Sequence, residues 1–314
     1  MKNVVVTGTL SYDFIMDFPG HFYDRIMPDK LHCLSLSFLV DKLSKQFGGT
    51  AGNIAYSMQL LGLKPAILAP AGNDFEPYKT FLTKHNINTE YIPIYKNVAT
   101  SVYTVMTDKN HCQIGSFFVG PMKYAGKLHI ADVSDQEKLV VLAPNEPEAM
   151  KQYIAECKSL KIPYLYDPAF QIGNFTSEEL RDGIENSTIL IGNDYEIALI
   201  EQKLGISHEE LILMAPVLVT TLGGKGSIIE TRHDAMHIER TDAENVCDPT
   251  GAGDAYRAGF VTGYLRGLPL DVCGQMGSVT AAYTVEKYGT QTHTFTKKEF
   301  IERYKKNYGS VVEL

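Results

Sequence analysis

Residues 248–254 of this 314-residue chain read Asp-Pro-Thr-Gly-Ala-Gly-Asp and precede an apolar run that is typical of a helix. Gly251 and Gly253 let the backbone amides turn inward, and a helix that begins there directs its free N–H groups and its positive dipole end to one point. This pattern predicts an anion site. Because an anion repels a neighbouring carboxylate, Asp254 is best explained as a base that takes a proton from a hydroxyl group attacking a phosphate. The alternative is a helix-terminal aspartate that the dipole stabilises.

Several other catalytic patterns are absent from the sequence. There is no Gly-x-x-x-x-Gly-Lys-Ser/Thr phosphate loop, and the Gly-Ala-Gly of 251–253 lacks the third glycine of a dinucleotide fingerprint. Neither the Gly-x-Ser-x-Gly pattern of hydrolases nor the His-Glu-x-x-His pattern of zinc proteases occurs. None of these enzyme classes therefore accounts for segment 248–254.

The composition is that of an acidic globular protein. Hydrophobic residues make up 44% and charged residues 21%, and 37 acidic against 29 basic residues give a net charge of −8. Such a chain has no general attraction for nucleic acid or anionic membranes, so we expect neither as a partner. No apolar run is long enough to span a membrane, and the first apolar run is too short for a signal peptide. We therefore expect a cytoplasmic protein.

The cysteines are odd in number and widely spaced, and no Cys-x-x-Cys pair occurs. This pattern predicts reduced thiols rather than a disulfide framework or a zinc site. The five are Cys33, Cys112, Cys157, Cys247 and Cys273.

Strand and helix patterns alternate along the chain. Strands are predicted at 3–8, 66–71, 139–143, 163–167, 188–192, 216–220 and 226–230. Helices are predicted at 50–62, 73–86, 146–160, 177–186, 194–204 and 207–213. The alternation indicates a mostly parallel sheet covered by helices on both faces, in which ligands bind beyond the carboxyl ends of the strands. Asp167, Asn193 and Thr221 each follow a predicted strand, and we expect a site there.

Two segments, 14–47 and 91–119, interrupt this alternation and are richer in aromatic and β-branched residues. Within the second segment, apolar residues on both sides of 108–110 indicate a β-hairpin that turns there. We interpret the two segments as a small β-rich lid on the α/β body. The alternative is that they add edge strands to the main sheet.

Further motifs stand before segment 248–260 in the chain. Residues 48–53 read Gly-Gly-Thr-Ala-Gly-Asn, residues 193–196 read Asn-Asp-Tyr-Glu, and residues 221–226 read Thr-Leu-Gly-Gly-Lys-Gly. Together with Asp13 after the first strand, this series resembles the PfkB, or ribokinase-like, family of carbohydrate and nucleoside kinases. The resemblance extends over nearly the whole chain, and the motifs occur in the family's order.

The resemblance implies a ribokinase-like α/β fold, a three-layer α/β/α sandwich with a mostly parallel central sheet and a small β-rich lid. It further implies a single catalytic domain over 1–314 and a kinase that uses ATP. In this comparison Asp254 is the base, while the amides of Gly251, Ala252 and Gly253 stabilise the charge that develops on the transferred phosphoryl group.

For the acceptor, the resemblance implies a site beneath the lid. Asp13 would accept hydrogen bonds from two neighbouring hydroxyl groups, as a ribose offers. Gly48 and Gly49 would let the backbone approach the sugar closely, and Asn53 would both donate and accept there. Taken as residues alone, Asp13 could instead belong to a turn, and Asn53 could face solvent at a helix entry.

For the nucleotide, the resemblance implies that Asn193 and Glu196 order Mg²⁺ and the phosphates. Glu196 would act through water, because magnesium loses its water reluctantly. The alternatives are a surface acid at this position, a plain hairpin turn at 221–226, and a solvated lysine within that turn. The loop residues implied to bind the nucleotide are Thr221, Gly223, Gly224, Lys225 and Gly226.

Asp248 and Thr250 resemble positions that hold a monovalent cation in some family members, where loop 289–293 would supply the other ligands. The alternative is a capping aspartate with a structural threonine. The resemblance thus implies ATP and Mg²⁺ as cofactors, with K⁺ in some members.

Several details favour a nucleoside as the acceptor. Tyr256-Arg257, the turn 108–113 and the loop 289–292 are similar to a branch of prokaryotic nucleoside kinases. Segment 11–20 resembles bacterial proteins described as adenosine kinases. We therefore expect phosphorylation of the 5′-hydroxyl of a nucleoside, adenosine to AMP, as in purine salvage.

Individual lid residues have two readings each. Gln113 could read the edge of a base or cap the hairpin. Aromatic lid residues could stack on a base, although such residues more often belong to a core. These aromatic residues are Phe38, Phe117 and Phe118.

Two other functions are open at this point. A sugar kinase of the same family would act on ribose, fructose or a sugar phosphate, and the last would need bases near the lid such as Lys42, Lys45 and Lys123. A regulatory protein would bind a ligand without transferring phosphate, which the presence of Asp254 and of Asn193 with Glu196 argues against. An exposed β-rich lid also offers a surface through which a homodimer would form.

Overall fold

The computed structural model describes residues 3–33, 35–110, 112–133 and 137–314. Positions 34 and 111, which belong to the two predicted lid segments, and the first residues of the predicted N-terminal run lie outside the described residues. The strands are β1 (Asn3–Thr7), β2 (Ser11–Asp17), β3 (Lys42–Gly48), β4 (Lys64–Leu68), β5 (Ala71–Gly72), β6 (Ile94–Tyr95), β7 (Ser101–Thr107), β8 (Gln113–Phe118), β9 (Glu137–Leu142), β10 (Tyr164–Tyr166), β11 (Ile189–Asn193), β12 (Leu218–Thr221), β13 (Ser227–Glu230) and β14 (Ala235–Ile238).

The helices connect these strands and extend the chain beyond the last of them. They are α1 (Thr50–Leu60), α2 (Glu76–Lys84), α3 (Pro147–Leu160), α4 (Ser177–Glu185), α5 (Asp194–Leu204), α6 (His208–Met214), α7 (Ala252–Arg266), α8 (Leu270–Val285) and α9 (Lys297–Tyr308). Short 3₁₀ turns lie at Phe22–Asp24, Pro28–Cys33, Gly120–Lys127, Ile130–Asp132, Ala169–Asn174 and Gly223–Lys225.

The main sheet has eight strands in the order β14-β13-β12-β11-β10-β9-β1-β4. Strands β4, β1, β9, β10, β11 and β12 are parallel to their neighbours, while β13 and β14 are antiparallel. The predicted strands and helices of the α/β body all occur, with small shifts at their ends. Strand β14 and helices α8 and α9 were not anticipated.

Apolar side chains project from both faces of this sheet, and helices cover both faces because these side chains must be buried. In β1, Val4 and Val6 pack into the core that holds α1, α2 and α7, whereas Val5 packs into the core that holds α3, α4, α5 and α6. Side chains of a strand alternate between faces, so one apolar run serves two layers. The predicted three-layer α/β/α sandwich is confirmed.

Four further strands form a sheet of their own in the order β3-β2-β7-β8. β2 pairs parallel with β7, and the β7–β8 hairpin turns at Asp108. The Asp108 carboxylate accepts hydrogen bonds from the backbone N–H groups of Phe22, Asn110 and Cys112, at 3.0, 2.8 and 3.0 Å, which explains the turn. These strands are not edges of the main sheet; that they act as a lid stays a prediction.

All five cysteines are free. Burial raises the pKa of the Cys157 and Cys273 thiols to about 12, so these two are poor nucleophiles. In the part of the chain that the structure describes, no helix is both long and apolar enough to cross a membrane.

Helix α7 packs against α8 through a glycine. A Cβ at Gly259 would lie 2.5 Å from the carbonyl oxygen of Met276 and 2.5 Å from Oγ1 of Thr280. We expect Gly259→Ala to lower the free energy of unfolding by roughly 1–3 kcal/mol, because overpacking outweighs the gain in helix propensity. Urea unfolding measures the change.

Gly173→Ala is the matched control, since a Cβ there would meet nothing within 4 Å. Equal unfolding midpoints for the two variants would contradict this view of the α7–α8 contact.

Candidate active site

Asp254 lies in the first turn of α7, directly after the glycine-rich turn. Gly251 precedes the helix with a φ of 79°, in the left-handed region that favours glycine. The Asp254 carboxylate accepts a hydrogen bond of 2.8 Å from Nδ2 of Asn53. Burial raises the pKa of Asp254, while the positive charge of Arg257 and the Asn53 hydrogen bond oppose the rise. The arrangement is a partly buried carboxylate at the start of a helix, where the Ala252 N–H donates to the carbonyl oxygen of Pro249 at 3.2 Å.

A chain of hydrogen bonds continues from Asn53 to the small sheet. Oδ1 of Asn53 accepts from Nε2 of Gln291 at 2.8 Å, and the same nitrogen lies 2.5 Å from the hydroxyl oxygen of Tyr78. Tyr78 donates to the carbonyl oxygen of Gly48 at 2.9 Å. Since Asn53 is only 5% exposed, the solvent-facing alternative for it is wrong.

Asp13 is buried on β2, where Oγ of Ser11 donates to its Oδ1 at 2.7 Å. A Cβ at Gly48 would lie 2.0 Å from Oδ2 of Asp13, so the carboxylate occupies the space that glycine leaves. Burial raises the pKa of Asp13 to about 7; Ser11 opposes this rise, and the charge of Asp254 adds to it. That electrostatic effect means that the two carboxylates face a common region.

Gly49 follows β3 with a φ of 87°, and a Cβ there would lie 2.4 Å from the carbonyl oxygen of Thr9. A side chain at this position would be strained and would clash with backbone. Gly48 and Gly49 therefore bring the start of α1, and Asn53 on it, close to β2.

The loop 221–226 borders a cavity of about 290 Å³, here called the loop cavity. Thr221, Gly223, Gly224 and Gly226 line one side, and apolar residues of α7 and α8 such as Ala252 and Ala282 line the other. The lining of the loop cavity has few polar groups, which suits a flat ring. Lys225 is exposed and does not line it, in keeping with the solvated alternative.

Asn193 and Glu196 form a capping box at the start of α5. Oδ1 of Asn193 accepts from the Glu196 N–H at 2.8 Å, and Oε2 of Glu196 accepts from the Asn193 N–H at 2.8 Å. A structural role for Glu196 and a role in ordering Mg²⁺ are thus compatible, because the cap holds the Glu196 side chain at the carboxyl end of β11. No described residue donates a hydrogen bond to its other oxygen, Oε1.

Asp248 holds the turn before α7 to a distant loop. Its Oδ1 accepts from the Thr250 N–H at 3.0 Å, and its Oδ2 accepts from the Gly289 N–H at 3.2 Å. These contacts match the capping alternative, and they also bring loop 289–293 to the position where the cation ligands are predicted.

A second cleft, here called the lid cleft, separates the small sheet from the body and has a volume of about 680 Å³. Gln113 lines it and donates to Oγ1 of Thr107 at 3.2 Å across the hairpin. Pro249 lines both the lid cleft and the loop cavity. The two spaces therefore meet at the turn before α7. Asp254 lines neither space and follows Gly253, which lines the loop cavity.

The aromatic candidates on the lid differ in their surroundings. Phe38 packs edge-on against Phe18 and Phe22, with ring centroids 5.0 and 5.4 Å apart, and so belongs to a small lid core. Phe118 is 51% exposed. Phe117 faces Phe170 of the body at 6.5 Å between centroids.

Several residues of the site were not identified from the sequence. Tyr78 and Gln291 join Asn53 to Gly48, and Asp167 contacts Arg257 of α7. Gln291 lies in loop 289–293, which was predicted to supply cation ligands. Asp167 lies at a strand end where a site was expected. Tyr78 has no sequence signal beyond its place in a predicted helix.

Asp13 gives the unfolding equilibrium a definite pH dependence. Its pKa of about 7 in the folded protein lies above the usual value near 4, so between these pH values only the unfolded chain loses the proton. Stability contributed by the protonated carboxyl is therefore present below pH ~4 and is lost as the pH rises towards 7, by at most about 1.4 kcal/mol per pH unit. We expect Asp13→Asn to flatten the decline between pH 4.5 and 7.5 in urea unfolding.

Asp41→Asn, at an exposed lid aspartate, is the control and should leave the decline as it is in the unsubstituted protein. Parallel curves for the unsubstituted protein and Asp13→Asn would contradict the buried, protonated state of Asp13.

Comparison with known proteins finds nucleoside kinases that are similar to this chain in sequence and in structure. The nucleoside kinase of Methanothermobacter thermautotrophicus is 31% identical over 312 residues, which cover 98% of this chain and 97% of that protein. The nucleoside kinase of Burkholderia thailandensis in complex with inosine has a TM-score of 0.92 at 31% identity, covering 98% of this chain and 99% of that one. Its ligand-free form has a TM-score of 0.82 at 32% identity, covering 96% and 99%.

Residues 1–297 match the pfkB family of carbohydrate kinases. The match includes the glycine-rich turns, Asp254 and the loop cavity described above. The chain belongs to the pfkB family and is a phosphotransferase that acts on a hydroxyl group.

Proposed function

We propose that this protein is a nucleoside kinase that transfers the γ-phosphoryl group of ATP to the 5′-hydroxyl of a nucleoside, with adenosine, converted to AMP, as its substrate. The observation that carries the proposal is the partly buried Asp254 carboxylate in the first turn of α7, which follows Gly253 of the loop cavity and accepts a hydrogen bond from Asn53. Similarity to nucleoside kinases over 98% of the chain supports a nucleoside as the acceptor.

ATP would place its adenine in the loop cavity, between Gly223–Gly226 and the apolar faces of α7 and α8. The cavity walls are largely apolar and Gly226 has a φ of 86°, with space for a Cβ blocked by the carbonyl oxygen of Ile238 at 2.0 Å. The backbone of loop 221–226 would therefore lie close to a ligand in the loop cavity. The phosphates would then extend towards segment 251–253.

The nucleoside would bind beneath the small sheet with its ribose against Asp13, Gly49 and Asn53. Asp13 would accept hydrogen bonds from the 2′- and 3′-hydroxyl groups. Asp254 would take the proton of the 5′-hydroxyl as its oxygen forms a bond to the γ-phosphorus and the bond to the β,γ-bridging oxygen of ATP breaks. The N–H groups of Gly251, Ala252 and Gly253 would stabilise the charge on the transferred group, and ADP would leave.

Mg²⁺ fits the residues beside this path. Glu196 keeps one carboxylate oxygen, Oε2, in its capping box, and no described residue donates to Oε1. A carboxylate oxygen is the kind of partner that a magnesium-bound water takes. When bound, the ion would neutralise phosphate charge, with Asn193 and Glu196 as its nearest residues.

Closure of the small sheet over the acceptor is part of the proposal. The structure is more similar to the inosine complex of the Burkholderia thailandensis enzyme than to its ligand-free form, which supports a lid in the closed position. In the closed position Asp13 on the lid and Asp254 on the body face each other. Closure would exclude water from the transfer step.

K⁺ and a homodimer complete the proposal. The contact of Asp248 with loop 289–293 supports a monovalent cation at Asp248 and Thr250.

Leu39 and Leu43 of the lid segment are 87% and 62% exposed, which supports pairing of two copies through the lid.

Asp254→Asn tests the base directly. We expect kcat to fall by roughly two to four orders of magnitude, because the amide cannot take the proton of the attacking hydroxyl. ADP release in the presence of the acceptor measures the change.

Asp271→Asn is the matched control, since Asp271 also lies in the first turn of a helix, α8, but away from both cavities. Near-normal turnover of Asp254→Asn would overturn the assignment of the base.

A substrate panel tests the acceptor. Adenosine, inosine, cytidine, ribose, fructose and fructose 6-phosphate are compared by ADP release, and we expect the highest kcat/KM for a nucleoside, with adenosine first. Lys42 already contacts the Asp17 carboxylate at 3.7 Å and lies over the Tyr288 ring at 3.5 Å, which argues against its binding a sugar phosphate.

Preference for ribose or fructose would make the protein a sugar kinase. Tight nucleoside binding without transfer to any member of the panel would make it a binding protein.

A further inference from the structure

Arg257 is buried in the wall of the site, one helical turn from Asp254. Its side chain is 9% exposed and that of Asp167 1% exposed, and Nε of Arg257 lies 2.5 Å from Oδ2 of Asp167. At this distance the two side chains form a buried, charge-assisted ion pair.

The pair with Asp167 uses only Nε of Arg257. Among residues 3–33, 35–110, 112–133 and 137–314, none accepts a hydrogen bond from the terminal nitrogens Nη1 and Nη2. A buried donor left unpaired costs about 1–3 kcal/mol, more when it is charged. A guanidinium in this state is explained if a ligand supplies the missing acceptors.

The guanidinium turns back towards the start of α7. A Cβ at Gly253 would lie 2.7 Å from Nη1 of Arg257, so the second glycine of the turn makes room for it. Nη1 therefore lies beside the N–H groups of 251–253 and the positive end of the α7 dipole. Two sources of positive charge meet at one point, and an anion is the ligand that both attract.

The surrounding acids keep the guanidinium charged and in place. Burial lowers the pKa of Arg257, but Asp167, Asp254 and Glu196 outweigh this and raise it. Asp167 follows β10 and Glu196 follows β11, so two of these acids lie at the carboxyl ends of neighbouring strands.

We propose that Arg257 is a catalytic residue that donates hydrogen bonds to the transferred phosphoryl group, and that Asp167 is the positioning residue that holds its guanidinium. This inference rests on the proposed kinase function and adds a residue to it. The Tyr256-Arg257 pair, which the sequence analysis associated with the nucleoside, would thus act on the phosphate side. The planar fork of a guanidinium matches two oxygens of a phosphoryl group.

Arg257 would keep its proton throughout the reaction. The oxygen of the acceptor forms a bond to the γ-phosphorus, the bond to the bridging oxygen of ADP breaks, and the hydroxyl proton goes to Asp254. Arg257 would donate only to non-bridging oxygens, whose charge it would help to stabilise.

Arg257→Met is the first test, with affinities for ATP and ADP and the steady-state constants measured on the full chain. Because ADP lacks the γ-phosphoryl group, we expect the Kd for ATP to rise at least about tenfold while that for ADP changes little, the effect of one hydrogen bond to a charged group. We expect kcat to fall by roughly 10²–10³-fold, as for the loss of one donor to a developing oxyanion, with the KM of the nucleoside little changed.

Arg257→Met leaves Asp167 buried without its counter-ion, and the variant could fail to fold. The double variant Arg257→Met/Asp167→Asn removes both charges, and we expect it to be folded but to keep the loss of kcat and of ATP affinity. Arg257→Lys retains the charge without the fork and should lie between the unsubstituted protein and Arg257→Met.

Arg303→Met is the matched control. Arg303 forms a partly buried ion pair with Glu286, with side chains 12% and 13% exposed, away from both cavities. We expect it to lower stability while the ratio of ATP to ADP affinity stays unchanged.

Wild-type kcat and ATP affinity in the folded double variant would overturn the role of Arg257 and leave the proposed function intact. No transfer by the unsubstituted protein to any nucleoside or sugar would instead overturn the proposed function.

Discussion

The site depends on one electrostatic constraint: carboxylates must be buried next to the place where a phosphate binds. Asp13 and Asp167 are buried, Asp254 is partly buried, and desolvation raises the pKa of each. Their charges oppose one another and would oppose an anionic nucleotide. The structure compensates with the N-terminus of α7, the Arg257 guanidinium and directed hydrogen bonds from Ser11 and Asn53. Each acid thereby has its own compensating partner.

The hydrogen bonds that serve Asp254 also connect the two sheets. Asn53 holds Asp254, Gln291 holds Asn53, and Tyr78 binds Gly48 at the end of β3, on which the position of Asp13 depends. These contacts join residues up to 238 positions apart in the chain. The same network therefore sets the positions of Asp254, the candidate base, and of Asp13, the candidate acceptor-binding carboxylate.

Sequence patterns predicted the α/β body well because its signals are local. Apolar strands, capped helices such as α5, and glycines at 48–49 and 251–253 each have a physical requirement that short segments reveal. Helix α8 was missed because it is buried along most of its length, so its apolar residues have no period to detect. The Arg257–Asp167 pair and the place of Tyr78 come from long-range packing, which no spacing rule in one sequence gives.

Helix α7 combines two properties that are seldom joined, since it carries the candidate base and is enclosed on nearly all sides. Residues from Ala255 to Gly263 form an unbroken buried run, and Gly259 and Gly263 meet α8 at backbone distance. A helix packed in this way has no room to shift or rotate. Asp254 is therefore a fixed reference point in the molecule. Any displacement during a reaction cycle must belong to the substrates and to the small sheet, whose outer strand β8 is largely exposed.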